Sequence, residues 1–413
     1  MAIPSTPVPG AATSATERLH ALDAVRAGAL LLGVVLHTTL SFLEPRTWVV
    51  GDVSTSPVMN GTYFVIHVFR MTLFFLIAGF FARLLLHRRG TGGFVRNRAV
   101  RILAPLAIFW PVVMFSTVVA IIIAANLAGE EVPGATPMTP STFPLTHLWF
   151  LYWLLVLYVL ALAVRAVVNL IDPDGSRRSR LVDPVVRTVV ARDLTPLVVG
   201  APLCIAFLLK QDWLLWYGVP PAENGLIPNP VGLVAYGCAF GFGWLLNRQV
   251  DVIRVWERRY PRNLVAAVVL TGIALAMVGL TPDTEPEALG WHKVAYAVVY
   301  TLAVWAWTMG LIGAAMRHLS RPNPSIRYVA DASYWVYVVH LPLVMALQAA
   351  VSQVALPWFV KFPAILLVTY PVTLLSYRYL VRYTFIGALL NGRRRRRDEK
   401  PATDAAVPQA AAH

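Results

Sequence analysis

Residues 22–37 read Leu22-Asp23-Ala24-Val25-Arg26-Ala27-Gly28-Ala29-Leu30-Leu31-Leu32-Gly33-Val34-Val35-Leu36-His37, and this stretch decides the fold. It is apolar enough for a membrane helix, yet it carries a carboxylate, a guanidinium and an imidazole. The eleven helical steps from Arg26 to His37 turn about 1100°, so both side chains share one face, about 16 Å apart along the axis. An ionisable side chain inside a membrane costs roughly 2.5–3.5 kcal/mol and normally faces the protein interior. The stripe therefore indicates a chemical role within a membrane helix.

The composition of the whole chain is that of a membrane protein. Hydrophobic residues occupy 57% of the 413 positions and charged residues only 14%, which is too apolar for a soluble domain. Ten segments are apolar enough to cross a bilayer core of about 30 Å. They lie at approximately 21–43, 62–86, 102–126, 146–170, 196–217, 229–247, 263–281, 292–316, 329–351 and 362–386. We therefore expect an all-α polytopic membrane protein, a bundle of about ten transmembrane helices.

The net charge of +14 follows the topology of a membrane protein and does not indicate a nucleic-acid partner. Arginines cluster in the second, fourth, sixth and eighth connections and again at residues 393–397, whereas the intervening loops are poor in basic residues. The positive-inside rule then places both termini in the cytosol and the protein in the cell (plasma or inner) membrane. The arginine run at 393–397 is a stop signal that also suits anionic lipid.

The chain divides into one large unit and two polar ends. We expect a flexible cytosolic N-terminal segment at 1–17, a single transmembrane domain at 18–390, and a basic, then disordered, cytosolic tail at 391–413. Cys204 and Cys238 both lie in apolar segments, so they are expected to be core residues and not part of a metal site or disulfide.

His37 is the first candidate catalytic residue. An imidazole can take a proton from a hydroxyl near neutral pH, and it can also carry an acyl group covalently. Arg26 suits an anionic group such as a phosphate or carboxylate. The alternative is structural: His37 would bond a neighbouring helix, and Arg26 would anchor the helix end by pairing with Asp23.

Two further pairs of basic side chains are three residues apart and so share a helix face. His67 and Arg70 lie near the outer end of the second span, where they could orient an acceptor or bind an acyl carbonyl, unless Arg70 merely snorkels to the interface. Arg98 and Arg101 lie at the cytosolic mouth, where they could clamp a phosphorylated donor, although topology alone would also explain them.

The remaining candidates lie in two later spans. His147 opens the fourth span and could reach an extracytoplasmic substrate. Ser333, Tyr337 and His340 lie at i, i+4 and i+7, which makes one polar stripe in an apolar helix. The stripe suits either the binding of a substrate or the packing of helices through hydrogen bonds. Pro342 is expected to kink the helix just beyond the stripe. The sequence contains no Gly-rich phosphate loop and no His-Glu metal motif.

Taken together, these stretches resemble the acyltransferase-3 family of polytopic membrane acyltransferases. The segment Leu22-Asp23-x-x-Arg26-x10-His37 matches the first-helix signature of that family. Three further stretches of this chain look like later motifs of the family, namely Arg98-x-x-Arg101, His147-Leu148-Trp149-Phe150-Leu151 and Ser333-x-x-x-Tyr337-x-x-His340. The stretch Ile66-His67-x-Phe69-Arg70-Met71 is closer to the branch of glucan succinyltransferases. The likeness covers most of residues 18–385, but the region 175–330 shows no matching motif.

The resemblance implies transfer of an acyl group, such as acetyl or succinyl, from cytosolic acyl-CoA to a hydroxyl of an extracytoplasmic glycan, glycolipid or glycoside. It implies catalytic roles for His37, Arg26 and Asp23, with acyl-CoA as a co-substrate and no bound cofactor or metal. The partners would be acyl-CoA, a carbohydrate or glycolipid acceptor and the lipid bilayer. The alternative is a transporter or flippase for a sugar or lipid-linked sugar, because polar stripes also suit a substrate pathway. The acyl group, the acceptor and the oligomeric state stay open.

Overall fold

The computed structural model describes residues 9–134, 136–220 and 224–392, and this part of the chain is helical without a β-strand. The helices are α1 Pro9–Thr39, α2 Pro57–Arg98, α3 Ala104–Ala128, α4 Trp149–Ile171, α5 Asp183–Ala191, α6 Thr195–Val198, α7 Ala201–Leu209, α8 Pro230–Leu246, α9 Arg254–Val278, α10 Trp291–His318, α11 Pro324–Val351, α12 Trp358–Ser376 and α13 Phe385–Asn391. Short 3₁₀ turns extend α1 at Leu40–Phe42 and precede α4 at Thr146–Leu148, and a π-helical turn, Ala99–Leu103, joins α2 to α3.

The all-α polytopic membrane class is confirmed. Within the described residues, seven helices are long and apolar enough to cross a membrane, or eight if a pair bent by 119°, Arg178–Ala191 and Thr195–Leu209, is counted as one span. The run Pro57–Ala128 contains two of the predicted spans; at 1.5 Å per residue it would be roughly 108 Å long, far beyond one bilayer core. It breaks at Gly90, whose φ is +66°. The count of ten spans and the cytosolic placement of both termini stay predictions.

The structure describes only part of the two predicted polar ends of the chain. Helix α1 begins at Pro9, so it includes residues 9–17 of the predicted N-terminal segment, whose flexibility stays a prediction. Residues 1–8 and the arginine-rich tail at 393–413 lie outside the described residues. The treatment of 18–390 as a single domain stays a prediction.

Helices α2 and α8 cross with their backbones in direct contact. A Cβ atom at Gly79 would lie 1.9 Å from the Phe240 carbonyl oxygen, and one at Gly243 would lie 1.9 Å from the Leu76 carbonyl oxygen. Any side chain at either glycine would therefore force the helices apart. Close approach through small residues replaces the hydrophobic effect as the source of helix association in lipid.

The loop between α1 and α2 is fixed to the end of the bundle where α1 finishes. Its Asp52 accepts hydrogen bonds from Lys361 of α12, with Nζ–Oδ distances of 2.7 and 3.0 Å, and both side chains are buried. Trp48 of the same loop donates from Nε1 to Gln348 of α11 at 3.3 Å. Gln348 in turn donates to the His37 carbonyl oxygen at 2.9 Å. The loop thus closes the bundle beside the C-terminal turn of α1.

Candidate active site

Three histidines from separate parts of the sequence converge inside the bundle. The imidazole centroids of His37 and His340 are 5.2 Å apart, those of His147 and His340 are 5.0 Å apart, and those of His37 and His147 are 6.4 Å apart. All three side chains are buried, with at most 5% of their surface exposed. We call this group the histidine cluster. The described residues contain no group of histidine, cysteine and acidic side chains arranged to hold a metal ion.

Each histidine is positioned by a different local structure. His37 lies in the last turn of α1, and His340 lies in the middle of α11. His147 lies in the 3₁₀ turn before α4, directly after Thr146, whose φ of +53° is unfavourable for a β-branched residue. This strained residue starts the turn that carries His147.

Pro342 provides the acceptor that orients His147. A proline has no N–H, so the carbonyl of the residue four positions earlier, Val338, loses its usual helical partner. His147 Nε2 occupies that position, 3.2 Å from the Val338 oxygen and 3.0 Å from the Tyr337 oxygen. The Tyr337 hydroxyl donates back to the His147 carbonyl at 2.6 Å. Helix α11 continues through Pro342. The Val338 carbonyl, which Pro342 leaves without a helical partner, binds His147 instead.

These contacts also decide which imidazole nitrogens carry protons in the neutral state. A carbonyl only accepts, so His147 is protonated on Nε2, and His340, whose Nδ1 lies 2.7 Å from the Tyr337 oxygen, is protonated on Nδ1. Their other nitrogens, together with Nδ1 of His37, are buried and have no hydrogen-bond partner among the described residues. Neutral His147 and His340 can therefore accept a hydrogen bond from a substrate but cannot donate one.

Arg70 brings the positive charge to the histidine cluster. It lines a cavity of about 20 Å³ together with all three histidines. A Cβ atom at Gly33 of α1 would lie 2.6 Å from Arg70 Nη1, so the glycine leaves room for the guanidinium against α1. A cavity of this volume accommodates one water-sized group. It can thus hold reacting atoms but not a whole substrate.

His67 does not line this cavity, although it shares α2 with Arg70. Its Nε2 donates to the Val219 carbonyl at 3.1 Å, and its ring stacks on Tyr63 with centroids 5.3 Å apart. The structure therefore separates the predicted pair, with Arg70 directed toward α1 and His67 toward the loop before α8.

A second cavity, of about 320 Å³, reaches the histidine cluster from the arginine-rich end of the bundle. We call it the basic cavity. Its described lining includes four arginines, Arg26, Arg88, Arg98 and Arg101, and no acidic residue. It shares four residues with the histidine cavity, namely Leu30, Phe74, Phe150 and Tyr337. Arg26 thus lines the basic cavity and His37 lines the adjoining histidine cavity, which agrees with their position on one stripe of α1.

The arginines of the basic cavity differ in how far they are already engaged. Arg26 pairs with Asp23 at 3.2 Å, and both side chains are about 40% exposed, so the predicted helix-end pair is present. Arg98 lies over the rings of Phe94 and Tyr158, 5.2 and 4.7 Å from their centroids, and its buried Nε has no described hydrogen-bond partner. Arg98 therefore keeps a buried donor that a ligand in the cavity could use.

Arg101 and the polar stripe of α11 complete the wall of the basic cavity. Arg101 donates from Nε and Nη2 to the Leu390 carbonyl, at 3.2 and 2.9 Å, which fixes the short helix α13 beside the cavity. Ser333 donates to the Ala330 carbonyl at 2.8 Å within its own helix. Tyr337 lies between the two cavities and lines both.

Sequence reasoning missed several residues of this region. Gln348 is fully buried and donates to the His37 and Thr38 carbonyls, at 2.9 and 3.3 Å. Arg88, Asn97 and Asn391 line the basic cavity. A buried glutamine in an apolar helix was the available indication for Gln348. Asn391 could not have been found, because only the tertiary fold places α13 beside the π-turn.

A buried imidazole cluster joined to an arginine-lined cavity, inside a bundle of apolar helices, is the arrangement of an integral membrane enzyme. The sequence profile of the acyltransferase-3 family, described as an acyltransferase domain, matches residues 19–378. The chain belongs to this family and is a multi-pass membrane acyltransferase. Membership of an enzyme family favours acyl transfer over the transporter that the sequence left open.

Curated relatives agree with this assignment. Glucans biosynthesis protein C of Escherichia coli strain K12 is 22% identical over 396 residues, which cover 94% of this chain and 98% of the relative. The protein of the same name from Escherichia coli O9:H4 strain HS is also 22% identical over 396 residues, with the same coverage. No solved structure is significantly similar to this chain.

Replacement of Pro342 by alanine tests the arrangement of α11. The new N–H would bond the Val338 carbonyl and compete with His147, so we expect acyltransferase activity to fall roughly three- to tenfold, the value of about one hydrogen bond. The thermal unfolding midpoint in detergent should stay at or above that of the wild type, because proline in a helix interior is destabilising. Pro261→Ala in α9 is the control. Full activity of Pro342→Ala would contradict the assigned role of the Val338 carbonyl.

Proposed function

We propose that this protein is an O-acyltransferase that moves an acyl group from cytosolic acyl-CoA to a hydroxyl of an extracytoplasmic glycan, glycolipid or glycoside. One observation carries the proposal: an arginine-lined cavity and a cavity lined by three imidazoles adjoin inside the bundle and share four residues. The positive-inside rule places the arginine-rich end in the cytosol, where acyl-CoA is found.

The basic cavity matches the chemistry of acyl-CoA in two parts. Its arginines suit the phosphates of the nucleotide, since guanidinium binds phosphate through charge-assisted hydrogen bonds. Its deeper walls are apolar and suit the thin pantetheine arm, which would bring the thioester to the histidine cavity. Leu30, Phe74 and Phe150 line this passage. Dry walls around the thioester would limit hydrolysis.

In the proposed reaction His37 is the general base. It takes the proton of the acceptor hydroxyl as the oxygen attacks the thioester carbonyl carbon. Arg70 stabilises the oxyanion of the tetrahedral intermediate, which then expels the CoA thiolate; the thiolate takes the proton from His37, and an ester remains on the acceptor. His147 and His340 accept hydrogen bonds from the acceptor, as their tautomers require.

The acceptor would reach the histidine cluster from the end of the bundle opposite the basic cavity, where the loop between α1 and α2 would have to admit it. The relatives are named for glucan biosynthesis, so a glucan or related glycan is the acceptor class to test first. The resemblance to the succinyltransferase branch makes succinyl one acyl group to test, beside acetyl.

The central test compares cells that lack the protein with cells that carry wild type, His37→Ala or the exposed control His318→Ala. Mass spectrometry of surface glycans, glycolipids and secreted glycosides should show an acyl mass increment with wild type and His318→Ala only. The increment identifies the acyl group. Normal acylation by His37→Ala would refute the mechanism, and unchanged acylation with altered amounts of an exported glycan would indicate transport.

A second test concerns Arg70 and uses two glycines of α1. The Cβ atom in Gly33→Ala would collide with Arg70 Nη1, whereas Gly28→Ala has no atom within 4 Å of its Cβ. Loss of one oxyanion donor typically costs 10²–10³ in kcat, so we expect a drop of about a hundredfold for Gly33→Ala alone. Both variants gain helix propensity, about 1 kcal/mol each, so neither should lose stability. Equal activity of the two would contradict the role of Arg70.

A third test separates donor binding from chemistry. Arg98→Gln should raise the KM for acyl-CoA roughly tenfold with little change in kcat, because a phosphate contact binds ground state and transition state alike. Arg96→Gln is the control, since Arg96 is exposed and does not line the basic cavity. An unchanged KM for Arg98→Gln in steady-state kinetics with purified protein would place the donor elsewhere.

A further inference from the structure

A third cavity, of about 870 Å³, lies on the other side of α2 and α4. We call it the lateral groove; its walls come from α2, α4, α8 and the connection after α4. None of its lining residues also lines the basic cavity. It is therefore a separate space that the proposed acyl transfer does not use.

The walls of the lateral groove are apolar and face outward. Leu160 and Val164 of α4 are 43% and 61% exposed. On α8 the lining follows one stripe, from Leu233 through Gly237, Phe240 and Gly241 to Trp244. The eleven steps from Leu233 to Trp244 span about 16 Å, which is about half of a 30 Å hydrocarbon core. The groove thus has the length of one leaflet and is open to its lipid.

Basic side chains close one end of the groove. Arg178 is engaged with Asp172 at 2.8 Å, and Arg248 makes a bidentate pair with Asp183 at 2.6 and 2.7 Å. The further titratable side chains at this end are His87, on the same face of α2 as Arg83, and Asp174.

Two arginines at this end, Arg83 and Arg165, are not in direct ion-pair contact with an acidic side chain of the described residues, although the Asp183 carboxylate bound by Arg248 also attracts Arg83. Arg83 donates to Asn247 Oδ1 at 3.2 Å and Arg165 donates to Thr91 Oγ1 at 3.1 Å, and neither forms an ion pair among the described residues. Guanidinium groups next to apolar walls suit a phosphate carried on acyl chains.

We propose that the lateral groove binds an anionic phospholipid of the leaflet at the arginine-rich end. Its phosphate lies between Arg83 and Arg165, and an acyl chain lies along the α8 stripe, where Gly237 and Gly241 leave space. The direct lateral opening favours a lipid over a soluble phosphate. The proposal does not depend on the acyl-transfer reaction, since the two cavities have no lining residue in common.

The test uses the full chain purified in a neutral detergent. The probes are phosphatidylglycerol and phosphatidylcholine with identical acyl chains, and inorganic phosphate and CoA as soluble anions. Native mass spectrometry counts lipid adducts, and the thermal midpoint reports stabilisation. Phosphatidylglycerol should bind and raise the midpoint of wild type more than phosphatidylcholine does.

The decisive variant is Arg83→Gln/Arg165→Gln. The attraction of one arginine to anionic lipid is about 1 kcal/mol, so the double variant should bind phosphatidylglycerol roughly thirtyfold more weakly than wild type. The matched control is Arg89→Gln/Arg96→Gln, which removes the same charge from two exposed arginines outside the groove and should bind like wild type. Equal binding by the two double variants would overturn the proposal.

A second variant distinguishes the loss of lipid binding from a folding defect. Gly241→Leu fills the groove at a position with open space and leaves both arginines in place, so it should lose phosphatidylglycerol but keep the lipid-free midpoint. Retained binding by Gly241→Leu would overturn the proposal. Inorganic phosphate or CoA could instead raise the thermal midpoint of the wild type but not of Arg83→Gln/Arg165→Gln. That result would also overturn the proposal, because the groove would then bind a soluble anion and not a lipid.

Discussion

The active-site arrangement depends on how the bundle satisfies one ring nitrogen of His147 and one of His340 and leaves the other nitrogen of each open. Inside a membrane an unsatisfied polar group costs several kcal/mol, so a cluster of imidazoles needs acceptors that the helices do not already use. Pro342 releases one such acceptor at Val338, and Tyr337 supplies a second carbonyl that His147 and His340 both contact. The irregularity in α11 thus supplies the acceptors that orient two of the three imidazoles, His147 and His340, in an apolar interior.

In the proposed reaction, the stripe on α1 separates charge recognition from chemistry. Arg26 lies at the basic cavity and His37 at the histidine cavity, with Leu30 lining both. A donor with a phosphorylated head and a thin arm can satisfy both ends of this stripe at once. A compact anion could satisfy only one end. Under the proposal, the distance along α1 between the two side chains would therefore favour a long donor over a compact anion.

Periodicity predicted what lies along one helix, and it failed where several helices meet. The face shared by Arg26 and His37 and the polar stripe of α11 follow from the 3.6-residue repeat. The separation of His67 from Arg70 does not, because residues three apart differ by about 60° around the helix and α2 is packed on several sides. The bent pair α5–α7 and the contact of Gln348 with α1 depend on long-range packing, which a single sequence does not encode locally.

The glycines show how the same bundle can be rigid and still admit substrates. Gly79 and Gly243 bring α2 and α8 into backbone contact, so the wall behind the histidine cavity cannot move without losing close packing. On the other face of the same crossing, Gly237 and Gly241 leave the lateral groove open. One helix, α8, thus holds α2 in place with two glycines and opens toward lipid with two others.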